Sequence, residues 1–221
     1  MPARPQDDIP SVLMNIYKEL YRRYGPQHWW PARTPFEVCV GAILVQNTAW
    51  ANVERAISQL DKAGVLAFKP LAALPENQLK ELIRPAGFFN VKAKRLRAFL
   101  DFLGQHYDGD IESLAYKPWP VARMELLAVH GIGHETADSI LLYALQKPVF
   151  VIDAYTRRLL QAQGFVAWTE NYHAMQALFM DNLPSDVVLY NEYHALIVAL
   201  GKERSFSLGH KPGLFYNKNH E

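Results

Sequence analysis

The stretch Leu127-Ala128-Val129-His130-Gly131-Ile132-Gly133-His134-Glu135-Thr136-Ala137-Asp138 decides how this chain folds. Apolar residues lead into a Gly-x-Gly turn, and a second helical pattern leaves it. The two glycines permit positive φ and close approach of the arms. Ile132 between them can plug the space between two helices. The second helix opens with unsatisfied backbone N–H groups and the positive end of its dipole, which together suit a phosphate oxygen. Gly-x-Gly alone also fits an ordinary turn between helices. With Leu-x-x-Val before it and Thr-Ala after it, the pattern reads as a DNA-binding hairpin made by Gly131, Ile132, Gly133, Glu135 and Thr136.

Outward from the hairpin, the dominant period is helical. Val12, Leu13, Ile16 and Leu20 recur at three- and four-residue spacing. Thr34-Pro35-Phe36-Glu37 reads as a capping box with proline at the first helical position, starting a helix with Phe36, Val40, Ile43 and Leu44 on its apolar face. Val53, Ala56, Ile57 and Leu60 mark a third helix, and Leu79, Leu82 and Ile83 a short fourth, stopped by Pro85 and Gly87. Asn90 is expected to cap the next, which carries Ala93, Leu96, Leu100 and Leu103. Met124, Leu127 and Val129 precede the hairpin; Ala137, Ile140, Leu141 and Ala144 follow it. Val149-Phe150-Val151-Ile152 has no second strand-like run to pair with, so it is expected as a buried connector entering a helix at Asp153. Met175, Leu178 and Phe179, then Val187, Tyr190, Tyr193, Ile197 and Leu200, mark two final helices, with Gly201 as the stop. The expectation is an all-α chain of about ten helices with no Gly/Ser linker, so two lobes would share the chain discontinuously.

Composition narrows the classes. The 221 residues are half hydrophobic and 20% charged, which excludes wholesale disorder. No apolar run nears the ~20 residues that cross a bilayer, and Met1 to Asp8 lack the core of a signal peptide. A cytosolic protein without a membrane partner is expected, associated with the nucleoid if bacterial. The single cysteine, Cys39, excludes an internal disulfide framework and a metal site built from several cysteines of this chain. Lys plus Arg (23) nearly balance Asp plus Glu (22), so any nucleic acid must be held by a local surface.

Three segments in order resemble the helix-hairpin-helix DNA glycosylases of the endonuclease III superfamily: Gly41-Ala42-Ile43-Leu44-Val45-Gln46-Asn47-Thr48, the hairpin from Val129 to Ala137, and Val151-Ile152-Asp153-Ala154-Tyr155. Trp29-Trp30-Pro31, Arg84 to Asn90 with Lys92 to Leu96, and Gly131 to Glu135 narrow the resemblance to the 3-methyladenine DNA glycosylases of endonuclease III type that lack the iron–sulfur cluster. It runs from about Trp29 to Lys202. It implies a helical barrel lobe at 36–147, a second lobe from 1–35 and 148–221, and a cleft between them for double-stranded DNA with a damaged base. The expected protein is a monomeric base-excision repair enzyme that hydrolyses the N-glycosidic bond of alkylated purines and leaves an abasic site. Other lesions (oxidised pyrimidine, mismatched thymine, uracil) and a non-catalytic DNA-binding module are the alternatives.

The resemblance assigns roles residue by residue. Asp153, 18 positions after Glu135, takes the place of the essential aspartate. Breaking a glycosidic bond builds oxocarbenium charge, and a carboxylate at ~4 Å and an effective dielectric near 20 attracts it by about 4 kcal/mol, roughly a thousandfold in rate. An N-cap is the plainer role, and the two are compatible. Asp138 competes weakly and is expected on a solvated or interlobe face. Glu135 stands where bifunctional members carry a Schiff-base lysine, and a carboxylate cannot form that adduct. A pocket wall and an exposed first-turn glutamate are the two readings of Glu135. Trp29, Trp30 and Trp50 are implied to line the base pocket, where indole faces attract a cationic purine by ~0.5–2 kcal/mol; core packing is the alternative. Gln46 and Asn47 could fill the gap left by an extruded nucleotide, or only end a helix. Lys202 adjoins the pocket in the closest family members and also suits a helix C-terminus. Lys92, Lys94, Arg95 and Arg97 form a basic run of the kind usually left on a solvated face. Lys202 to Ser207 holds none of the superfamily's four cluster cysteines, so no cofactor and no metal are expected. The tail is expected to hold by packing, through Phe206, Leu208, Leu214 and Phe215.

Overall fold

The computed structural model describes residues 8–167 and 170–203. The tail residues Phe206, Leu208, Leu214 and Phe215 lie outside them. All regular structure among the described residues is helical, as the periodicity requires. The chain divides into two units: Trp30–Lys147, and a unit formed by both chain ends, up to Trp29 and from Pro148 onward.

The continuous unit is built around α2 (Pro35–Leu44), buried on every side from Phe36 to Leu44. Thr34 caps it, its hydroxyl accepting from Glu37 N at 3.1 Å. The reciprocal half of the box is shifted by one residue, since Glu37 Oε2 accepts from Arg33 N at 3.2 Å. Around α2 run α3 (Trp50–Lys62), α4 (Phe68–Ala73), α5 (Glu76–Ile83) and α6 (Phe89–Tyr107). The helical hairpin follows as α7 (Trp119–Ala128) and α8 (His134–Ser139), and α8 runs straight into a π-helical turn, Ile140–Ala144. Short 3-10 turns at Arg84–Ala86 and Ile111–Tyr116 complete the unit.

In the other unit, α11 (Val187–Lys202) packs against α1 (Ile9–Tyr24) and α9 (Ala154–Ala162), with α10 (Tyr172–Met180) alongside in sequence. Its core is aromatic. Phe150 stacks on Phe179 at 3.9 Å, and the edges of Tyr190 and Tyr193 meet Phe150. Tyr193 donates its hydroxyl proton to Leu13 O at 2.8 Å, which satisfies a phenol buried in the core. Val149 to Ile152 is a buried, non-helical connector leading into α9, as expected.

Two expectations fail locally, at Asn90 and at Gly201. The cap of α6 is Phe88, at φ +47°, and Asn90 lies within the helix. Met124 is turned out, 66% exposed, while Ala122 and Leu126 form the buried face of α7. Gly201 lies inside α11 and does not end it. A Cβ there would stand 2.0 Å from Tyr155 Cδ1, so glycine is required because the α9 ring lies on it.

Candidate active site

Asp153 follows four buried residues and stands in extended conformation at the start of α9. Its Oδ1 accepts from Thr156 N at 2.7 Å, and Oδ2 lies 3.6 Å from His194 Nε2 on α11. Burial pushes its carboxyl pKa up, but the His194 imidazole and the Thr156 backbone N–H together outweigh burial. The group is held below the usual aspartate value and is ionised at neutral pH. Cap and candidate catalytic carboxylate are thus one residue. The sequence reading missed His194. The available signal was a histidine on the apolar stripe of Tyr190, Tyr193 and Ile197. It is 6% exposed, and a buried imidazole needs a polar partner.

In the same unit Lys202 Nζ stands 5.7 Å from the Trp29 ring centroid, a cation–π contact. Lys202 is also in the last turn of α11, where a cation suits the helix C-terminus.

Trp30 and Trp50 belong to the continuous unit and meet edge to face, 5.0 Å between centroids at 89°. They wall a cavity of 350 Å³ with Pro31, Glu37, Gly41 and Ile57. At its edge Arg33 pairs with Asp61 at 2.5 Å and with Glu37 at 3.5 Å.

The hairpin is pinned from two sides. Gly131 has φ +86°, and a Cβ there would fall 2.2 Å from Arg95 Cγ, so the Arg95 stem lies over the turn. Gln46 Nε2 donates to Gly131 O at 3.1 Å and to the buried Thr136 Oγ1 at 2.9 Å, and its Oε1 accepts from Arg95 Nη1. Gln46 is therefore committed to the hairpin as a clasp. Asn47 beside it is exposed at φ +55°. Ile132 is buried and plugs the turn, so it offers only backbone outward. Gly133 and Glu135 are exposed.

Asp138 is not on a solvated face. It is 0% exposed and pairs bidentately with Arg123 of α7, at 2.6 Å (Nε–Oδ1) and 2.9 Å (Nη2–Oδ2), tying the two arms of the hairpin together. The basic run is likewise mostly internal. Lys92 is 1% exposed, donates to Ala86 O at 2.7 Å, and is pushed down to about 8 by burial. Arg97 donates to the carbonyls of Leu71, Ala72 and Leu74 at the end of α4, where a cation suits unsatisfied acceptors. Of the four, Lys94 alone is exposed. Phe88, within the Arg84–Asn90 stretch, is 68% exposed in left-handed conformation beside that Ala86–Lys92 bond.

Residues 40–185, most of the chain, match the HhH-GPD superfamily of base excision DNA repair proteins. The chain belongs to that superfamily. It is a DNA glycosylase of base excision repair. MJ1434 of Methanocaldococcus jannaschii, provisionally named a DNA repair glycosylase, is 49% identical over 190 residues, 85% of this chain and 86% of that one. Endonuclease III of Thermotoga maritima is 26% identical over 191 residues, 86% and 83% of the two chains. The crystal structure of the H. pylori 3-methyladenine DNA glycosylase MagIII bound to 1,N6-ethenoadenine superposes with a TM-score of 0.77 at 29% identity, covering 90% of this chain and 99% of that one. Within the HhH-GPD framework, Asp153 and the Gly131–Gly133 hairpin take their place as candidates for the chemistry and for the grip on DNA.

Proposed function

We propose that this HhH-GPD glycosylase is monofunctional and removes alkylated purines, 3-methyladenine above all. The observation that carries the reading is the edge-to-face pair Trp30–Trp50 on the wall of a cavity edged by Glu37. Flat indoles and a carboxylate favour a cationic, planar base. The likeness to MagIII over almost its whole length supports the same substrate class. Trp29 and Lys202 are proposed as further pocket groups. A purine alkylated at a ring nitrogen, as in 3-methyladenine, already carries positive charge in the nucleotide, so it leaves without being protonated.

Asp153 is the proposed catalytic carboxylate. As the C1′–N bond breaks, the electron pair goes to the base and positive charge grows on the sugar, which the ionised Asp153 stabilises. Water then bonds to C1′ and gives its proton to Asp153 or to solvent, leaving free base and an abasic site. Glu135 offers no amine, so it forms no Schiff base with the sugar. The backbone of Gly131 to Gly133, with Thr136 and the exposed Asn47 and Glu135, is proposed to meet DNA. Gln46 serves it from behind as the clasp.

The test is base release from duplexes carrying 3-methyladenine, 1,N6-ethenoadenine, oxidised pyrimidine, uracil or mismatched thymine, with borohydride present in a parallel set. Alkylated purines should be released fastest and borohydride should trap nothing. Faster release of a pyrimidine, or efficient trapping, contradicts the proposal.

A further inference from the structure

The helix that begins at the hairpin does not stay α-helical. After α8 the chain makes a π turn over Ile140–Ala144, closed by Leu145 N donating to Ile140 O at 3.1 Å. A π turn takes in one extra residue, so the side chains beyond it are rotated by roughly the 100° of one α-helical residue. Tyr143 lies inside this turn. Its ring is buried and lies 5.2 Å from Trp30, tilted 53°. Trp30 is thereby enclosed on three sides. Tyr143 is one and the edge of Trp50 is the second. The third is Gly41 of α2, where a Cβ would stand 3.1 Å from Trp30 Cζ2. Tyr143 is not among the residues lining the 350 Å³ cavity, so whatever it does there it does through Trp30.

We propose that Tyr143 is a positioning residue for base excision: the π turn holds its ring against Trp30 and so fixes the plane that Trp30 presents beside Trp50. Gly41 is the gap that lets Trp30 lie close against α2. The inference rests on the reading of Trp30 and Trp50 as walls of the base pocket. It adds that the pocket is set from the same helix that forms the second arm of the hairpin.

Two variants approach Trp30 from different sides. Tyr143→Leu removes the ring, and Tyr143→Phe restores it without the hydroxyl. Gly41→Ala adds one methyl, which obliges Trp30 to give by about a few tenths of an ångström, while alanine is the better helix former. Single-turnover release of 3-methyladenine is measured for each, with undamaged-duplex affinity, melting temperature and the circular-dichroism signal of the coupled indoles. Tyr143→Leu should slow release about 3- to 10-fold, less than the ~5- to 150-fold expected for losing a stacking ring outright. Tyr143→Phe should release at close to the normal rate. Gly41→Ala should slow release about 2- to 5-fold although its melting temperature is unchanged or raised. The indole signal should change in the Leu and Ala variants, and undamaged-duplex affinity should hold in all. Full-rate release by both Tyr143→Leu and Gly41→Ala overturns the inference. So does failure of Tyr143→Phe to restore the rate. Trp30→Ala, run beside them, separates the two claims. Full excision by Trp30→Ala sinks the pocket reading itself, whereas loss there with normal Tyr143→Leu and Gly41→Ala sinks only the role of Tyr143.

Discussion

His194 Nε2 stands 3.6 Å from Asp153 Oδ2, and the two residues come from helices whose starts lie far apart in the chain, α9 and α11. The carboxylate is depressed below its ordinary value despite its burial, so its ionised form is favoured by folding. The sign follows. The stability this adds is present above the unfolded aspartate value and is lost as pH falls through the lower, folded one. With Asp153 in its proposed role, excision should hold its rate down past the usual aspartate range. His194→Gln removes the imidazole and leaves burial to act, so the acid limb of single-turnover release should move to higher pH. An acid limb that stays where it is in His194→Gln would show that the imidazole does not tune Asp153.

Arg123 and Asp138 form a buried pair that ties α7 to α8. Asp138→Asn leaves the guanidinium buried without its counter-charge and should cost about 3–5 kcal/mol in urea unfolding, whereas Arg123→Met with Asp138→Leu should recover most of it. A loss below about 1 kcal/mol in Asp138→Asn would mean that the pair does not hold the hairpin.

Phe88 is exposed and left-handed, a conformation that costs a non-glycine residue about 1–2 kcal/mol. Strain kept at an exposed aromatic on a braced loop suits a side chain that wedges between bases in bent DNA. Phe88→Gly should keep or raise the melting temperature and yet slow lesion excision about tenfold, a loss of ~1.4 kcal/mol at the transition state. Unchanged excision would leave Phe88 an ordinary surface residue.

The parts of this molecule written in local signals were legible from sequence. The cap at Thr34, the buried run Val149–Ile152 and the cap at Asp153 each depend on neighbours within a few residues. The misreadings share a cause. Gly201 stands where a stop would stand, but the ring of Tyr155 on another helix decides it. The buried face of α7 could not be read because the helix carries apolar residues on both faces, Val121 and Met124 outward and Ala122 and Leu126 inward. The six-residue α4, with Pro70 in its first turn, is too short to show a period. Lys92, Arg95 and Arg97 looked like a solvated run because nothing local reveals which carbonyls they reach. Asp138 and His194 are partners fixed only by the fold. Asp153 was legible as a cap because its partner, Thr156 N, lies three residues on; the imidazole beside it was not.

The central claim is that Asp153 drives hydrolysis of alkylpurine glycosidic bonds without strand cleavage. Single-turnover release of 3-methyladenine from methylated duplex, by the native enzyme and Asp153→Asn, with products resolved before and after alkali, tests it most directly. The account predicts an intact strand that breaks only on alkali treatment, and a rate roughly a thousandfold lower in Asp153→Asn, with duplex affinity largely kept. Retention of more than about a tenth of the native rate by Asp153→Asn, or strand breakage without alkali, would contradict it.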